Sequence, residues 1–127
     1  KEWEVRRAIA ANRRSPAALL HRLAQDSDRR VKIAVVTNTA TADNTHQLLA
    51  RDRDPTVRSV VARYEYCSAA VMDILARDPQ AEIRLEVAKN WNTALATLKR
   101  LTQDEFPEVA NIAANELTKR QLEKNPE

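Results

Sequence analysis

VKIAVVTNTATADNTHQLLARDRDPT, residues 31–56, is one period of a pattern that fills this chain. Twenty-six residues upstream the same order of residue types opens at Val5 (VRRAIAANRRSPAALLHRLAQDSDRR, 5–30). Downstream it reopens at Val57 (VRSVVARYEYCSAAVMDILARDPQAE, 57–82) and Ile83 (IRLEVAKNWNTALATLKRLTQDEFPE, 83–108), and a partial fifth unit starts at Val109. No insertion or deletion disturbs the register. A fixed period of this size marks a solenoid, in which each unit packs on its neighbours and stacking builds one continuous core. An all-α fold of two-helix units follows, with a binding surface a better expectation than an active site.

Each register position has a physical reading. Val5, Val31, Val57 and Ile83 stand first, and Ile9, Val35, Val61 and Val87 follow four residues later, which is one apolar face of a short helix. A polar link comes next, beginning at Asn12, Asn38, Tyr64 or Asn90 and ending at Ser15, Thr41, Cys67 or Thr93. Ser and Thr are strong N-cap residues and Pro16 suits a first turn, so the second helix is expected to start there. Its apolar stripe runs through Leu19, Leu20 and Leu23, Leu48 and Leu49, Val71, Met72 and Leu75, and Leu98 and Leu101. Every unit then closes on an acid, Asp26, Asp52, Asp78 or Asp104. Asp28 and Asp54 follow two of these, and Asp54-Pro55 and Asp78-Pro79 read as cap plus first-turn proline for the next helix. These carboxylates are punctuation: a calcium loop needs a central Gly and a Glu at its twelfth position, and this chain has no Gly.

Composition bounds the function. The chain has 127 residues, 43% hydrophobic and 31% charged, as expected of one soluble domain of modest core. Without Gly, phosphate-cradling and dinucleotide-binding loops are disfavoured. No apolar run reaches the length of a membrane span. The single Cys67 allows no internal disulfide and no metal-ligand pattern, which points to a reducing cytoplasm and to no cofactor. Lys1 to Glu4 fill the last four positions of an earlier unit, so the chain is expected to come from a longer polypeptide or to have lost a leader.

Catalytic groups are sparse. His21 and His46 fall at different register positions, and His46 takes the place of Leu20, Met72 and Leu98, where a hydrogen-bonded core histidine is expected. The paired acids recur as a feature of the period, whereas general acid–base work needs one site with split pKa values. The chain therefore reads as a non-enzyme.

The run V-R-x-A-V-A-x-N, a polar link, S/T-P, a Leu-rich helix and L-A-x-D-x-D resembles the leucine-rich repeat variant family and, more loosely, HEAT-like repeats. It is carried by VRRAIAAN with SPAALLHRLAQDSD, VKIAVVTN with QLLARDRD, DILARDP and IRLEVAKN, over residues 5–108. The resemblance implies short first helices, in part 3₁₀, alternating with longer second helices in a right-handed superhelix, with residues 1–127 as a single solenoid domain. An iron–sulfur cluster belongs to one branch of that family, and one cysteine carries none of it over. Residues 109–127, with Glu116, Lys119, Arg120, Glu123 and Lys124, read as a capping helix with a polar outer face, while Trp3 and Val5 lack such a cover.

Departures from the period are free to encode recognition. Tyr64 replaces the Asn of the other units, Tyr66 lies two residues on, and Trp91 sits in the next link. Helices in neighbouring units pack about 8–10 Å apart, so these rings are expected to form one edge patch, flanked by Arg63, Glu65 and Lys89, that binds another protein. Arg6, Lys32, Arg58 and Arg84 share the second register position and form the alternative surface, a basic stripe facing nucleic-acid phosphates. Net charge is +3, but residues 1–63 carry 13 Lys/Arg against 7 Asp/Glu and residues 64–127 carry 8 against 11. A long polyanion gains nothing from the acidic half, which favours the protein partner.

Overall fold

The computed structural model describes residues 2–124, and among these the fold is all-α. The first helices are α1 (Trp3–Ala11), α3 (Arg29–Val36), α5 (Pro55–Arg63) and α7 (Ala81–Lys89). The second helices are α2 (Ala17–Leu23), α4 (Asp43–Leu49), α6 (Ala69–Leu75) and α8 (Leu95–Leu101), and a longer helix, α9 (Pro107–Lys124), follows the turn at 102–106. Helix starts in successive units fall 26 residues apart, at 3, 29, 55, 81 and 107 and at 17, 43, 69 and 95. Each first helix packs on the next, α1 on α3, α3 on α5, α5 on α7 and α7 on α9, while α4 packs on α6 and α8 on α9.

The apolar register positions are the core. Val31, Val35, Val57, Val61 and Val87 are fully buried together with Leu20, Leu49, Met72, Leu75 and Leu98. Val5 and Ile9 hold the same register positions in α1 yet are 58% and 37% exposed. In the later units each first helix packs on the one before it. The Trp3 ring of α1 is covered by the Arg30 guanidinium, 3.3 Å from the ring centroid. At the other end α9 buries Val109 and Ala113, and its second half is mostly exposed.

Two expectations about helix ends are corrected. Second helices span seven residues and first helices eight or nine, so the long and short elements are reversed, and both are α. The reversal comes from the closing turn: Gln25 and Asp26 donate to Arg22 and Leu23 three residues back, and each later unit repeats this tightening, which stops the helix before the acid. The residues preceding the second helices are Pro16, Ala42, Ser68 and Ala94, not Ser15, Thr41, Cys67 and Thr93. The hydroxyls face backward instead. Ser15, Thr41 and Thr93 donate to Ile9, Val35 and Val87 O at 2.6–2.7 Å and satisfy C-terminal carbonyls of the first helix. Asp54 caps α5 with Pro55 in its first turn and Asp28 caps α3, as expected. Asp78 does not cap α7, whose N-cap is Gln80; its carboxylate accepts from Gln80 N and pairs with Arg58.

The closing acids do more than end a turn. Each takes a backbone N–H two residues on and also pairs with the cation twenty residues earlier: Arg6–Asp26 at 2.6 Å, Lys32–Asp52 at 2.8 Å, Arg58–Asp78 at 2.6 Å and Arg84–Asp104 at 2.7 Å. Arg58 and Arg84 also donate to Asp52 O and Asp78 O of the preceding unit at 2.7 Å. One guanidinium thus ties the two helices of its own unit together and ties that unit to the one before. The Arg6 and Arg84 side chains hold the Asp26 and Asp104 carboxyls below the usual carboxylate range by direct hydrogen bonds, against the opposing effect of burial.

Burial decides what such a pair is worth. Arg84 and Asp104 are 9% and 7% exposed, so Arg84→Met strands a carboxylate and is expected to cost about 3 kcal/mol in urea unfolding. Arg100 and Asp73 are 46% and 45% exposed, and Arg100→Met is expected to cost under about 1 kcal/mol. Equal losses would contradict the structural weight given to the buried pairs.

Candidate functional site

The links between first and second helices line up along one edge, at the C-terminal ends of α1, α3, α5 and α7. A helix end leaves carbonyls without partners, and here they are met from the next unit. The Asn38 amide Nδ2 donates to Ala10 O at 2.7 Å and Asn12 O at 3.0 Å. Asn90, in the same register, donates to Ala62 O at 2.9 Å and Tyr64 O at 3.2 Å. Both side chains are buried, and each Oδ1 accepts from a link N–H of its own unit, Ala40 N or Asn92 N. In the last link Asn92 adds bonds to Glu65 O and Cys67 O.

Tyr64 breaks this ladder. A phenol cannot place a donor where the amide sits, and its hydroxyl reaches only Thr37 O, at 3.4 Å. Val36 O, the counterpart of Ala10 O and Ala62 O, is met by His46 Nε2 at 2.9 Å. A carbonyl only accepts, so Nε2 carries the proton. His46 is 5% exposed, in agreement with the core role expected of it. Its ring lies 5.6 Å from that of Tyr64, which in turn meets Tyr66 edge-on at 5.6 Å and 77°. Asn38 O keeps the turn bond from Thr41 N and receives no side-chain donor from the third unit.

The result is an open cavity of about 520 Å³ at the seam of units two and three, lined among others by Asn38, Thr41, Asp43, His46, Tyr64 and Tyr66. Tyr64 is half-buried, whereas Tyr66 is 65% exposed. Asp43 is exposed at the rim, where the Ser68 hydroxyl and the Gln47 amide hold its carboxyl below the usual range. Cys67, in the same link as the two tyrosines, is fully buried, its thiol pushed up to about 12 by burial.

The expected aromatic patch divides in two. Trp91, 63% exposed, lies with Arg63, Glu65 and Lys89 around a second, shallower depression of about 290 Å³ at the seam of units three and four. Among the described residues it makes no ring pair with either tyrosine. Arg6, Lys32, Arg58 and Arg84 do share one edge, the opposite one, each against its Asp. The period pointed to Tyr64 as a departure but not to His46 as its complement. The available signal was that both break register in adjacent units. Among the described residues no group of His, Cys, Asp or Glu is arranged to hold a metal ion, and no helix is long and apolar enough to cross a membrane. No family model, curated protein or solved structure matches this chain.

The environment of Cys67 sets its chemistry. Native protein at mildly alkaline pH is expected to leave a disulfide exchange reagent unreacted, with labelling at the rate of unfolding. Rapid labelling of the folded protein would contradict the burial of the thiol.

Proposed function

We propose that the chain is a non-catalytic scaffold that holds another protein against the edge carrying Tyr64, Tyr66 and Trp91, with Arg63, Glu65 and Lys89 at its rim. Its architecture on this reading is a right-handed solenoid of four two-helix units closed by α9, built on the leucine-rich repeat variant plan. Helix starts at a constant interval and packing of each first helix on the next support that plan. A reducing cytoplasm suits its lone buried thiol.

The observation that carries the binding role is the broken amide ladder. Where the carbonyls of the other links are met by Asn or Arg side chains, this one borders a cavity edged by two tyrosines packed edge to face, and rings held by their neighbours offer contact area with little entropy left to lose. Nucleic-acid binding through Arg6, Lys32, Arg58 and Arg84 has the weaker support. Their charges face Asp26, Asp52, Asp78 and Asp104 at hydrogen-bond distance, so phosphate would have to compete with carboxylates already in place.

A photoreactive amino acid placed at Tyr66 or at Trp91 tests the reading, with Arg53 on the opposite edge as control. Irradiation in the source cells' extract is expected to give the same discrete, protease-sensitive adduct from the first two positions and none from the third. Adducts sensitive to nuclease, or equal labelling from Arg53, would overturn it.

A further inference from the structure

The molecule fills one of its own link sites with a guanidinium. In unit four, Arg120 of α9 donates through Nη2 to Asn90 O at 3.0 Å and through Nη1 to Thr93 O. Glu116 pairs with its Nε at 3.0 Å and balances the charge. Asn38 and Thr41 stand at the same register positions in unit two, and their residues line the tyrosine cavity. No side chain of the following unit donates to Asn38 O, because Tyr64 stands where an amide would.

The rest of the cavity supplies what Glu116 supplies to Arg120. Asp43 occupies a position held by Ala17, Ala69 and Leu95 in the other units, so a carboxylate enters the register only here. Tyr64 and Tyr66 present ring surface, on which a planar delocalised cation stacks better than an ammonium. A neutral apolar group in this place would bring no further donor to the Asn38 and Thr41 carbonyls and no charge to face Asp43, which disfavours it.

We propose that the cavity between units two and three is a receptor for an arginine side chain of a partner protein, its guanidinium bonded to the carbonyls of Asn38 and Thr41 as Arg120 is to those of Asn90 and Thr93. Asp43 is the counter-charge and the Tyr64–Tyr66 pair the stacking wall. This rests on the reading of the edge as a protein-binding surface. Fork-shaped donors fit two carbonyls at once, so lysine is the poorer ligand.

The test is selection of a displayed library of random linear peptides on the whole chain, with the Tyr64→Asn variant as counter-selector. That variant returns the residue found in the other links and is expected to seal the site. Asp43→Asn, at an exposed position, serves as a second variant. Selected peptides are expected to share an arginine, to lose about tenfold or more in affinity when it becomes citrulline or lysine, and to bind Asp43→Asn about tenfold more weakly. Peptides that discriminate against Tyr64→Asn but need no arginine would overturn the guanidinium site and leave the protein-binding edge standing. Failure to enrich any peptide that distinguishes the two proteins would overturn both.

Discussion

A carbonyl at the end of a buried helix has to find a donor, and in this chain the donor comes from the next unit. Asn38 and Asn90 each bring one amide nitrogen to two carbonyls of the preceding link, 26 and 28 residues earlier in sequence. An unpaired buried carbonyl costs about 1–3 kcal/mol, so this single contact fixes how far one first helix slides and turns against the last. At the opposite ends of the same helices the cations of the second register position set a second line of attachment, through Arg58 to Asp52 O and Arg84 to Asp78 O. Helices pinned at both ends have little room to move, and the valine and leucine stripes between them then meet at close packing.

The candidate site is a consequence of that constraint being met in another way. Tyr64 cannot serve Val36 O, and His46 does so from the second helix of the same unit. Paired in this manner, the two substitutions keep the core satisfied while the outer half of the seam stays open. Among the described residues no buried side-chain polar atom is left without a partner. Arg120 shows a third solution, where a longer side chain from α9 reaches the carbonyls of Asn90 and Thr93. Amide, imidazole and guanidinium thus meet carbonyls in successive seams, and the seam with the imidazole holds the cavity of about 520 Å³.

Much of this is legible in the amino-acid sequence. Spacing alone identifies Val31, Val35, Leu49 and their counterparts as core, because apolar periodicity reports which face is buried. Polar positions were harder. Ser15, Thr41 and Thr93 look like N-caps of the helix that follows, yet they satisfy the helix before, since a hydroxyl at the end of a tight link can turn either way and the chain reversal brings the earlier carbonyls nearer. Asp78 before Pro79 looks like a cap, but Arg58 claims it. The amides at Asn38 and Asn90 carry no local signature, because their partners lie across the seam rather than along the helix. Tyr64 and Tyr66 stood out as departures, while the separation of Trp91 into its own depression depended on the width of a link, which spacing does not report.

The ladder has an internal control. Asn12 occupies the register of Asn38, but it is exposed and its Oδ1 takes only the local N–H of Arg14. The free energy of unfolding of Asn38→Ala and Asn12→Ala, measured side by side in urea, tests most directly whether the amide joins units. A loss of about 2–3 kcal/mol at Asn38 beside less than about 1 kcal/mol at Asn12 is the predicted result, since only the first strands a buried carbonyl, that of Ala10. Equal losses at the two positions would contradict it.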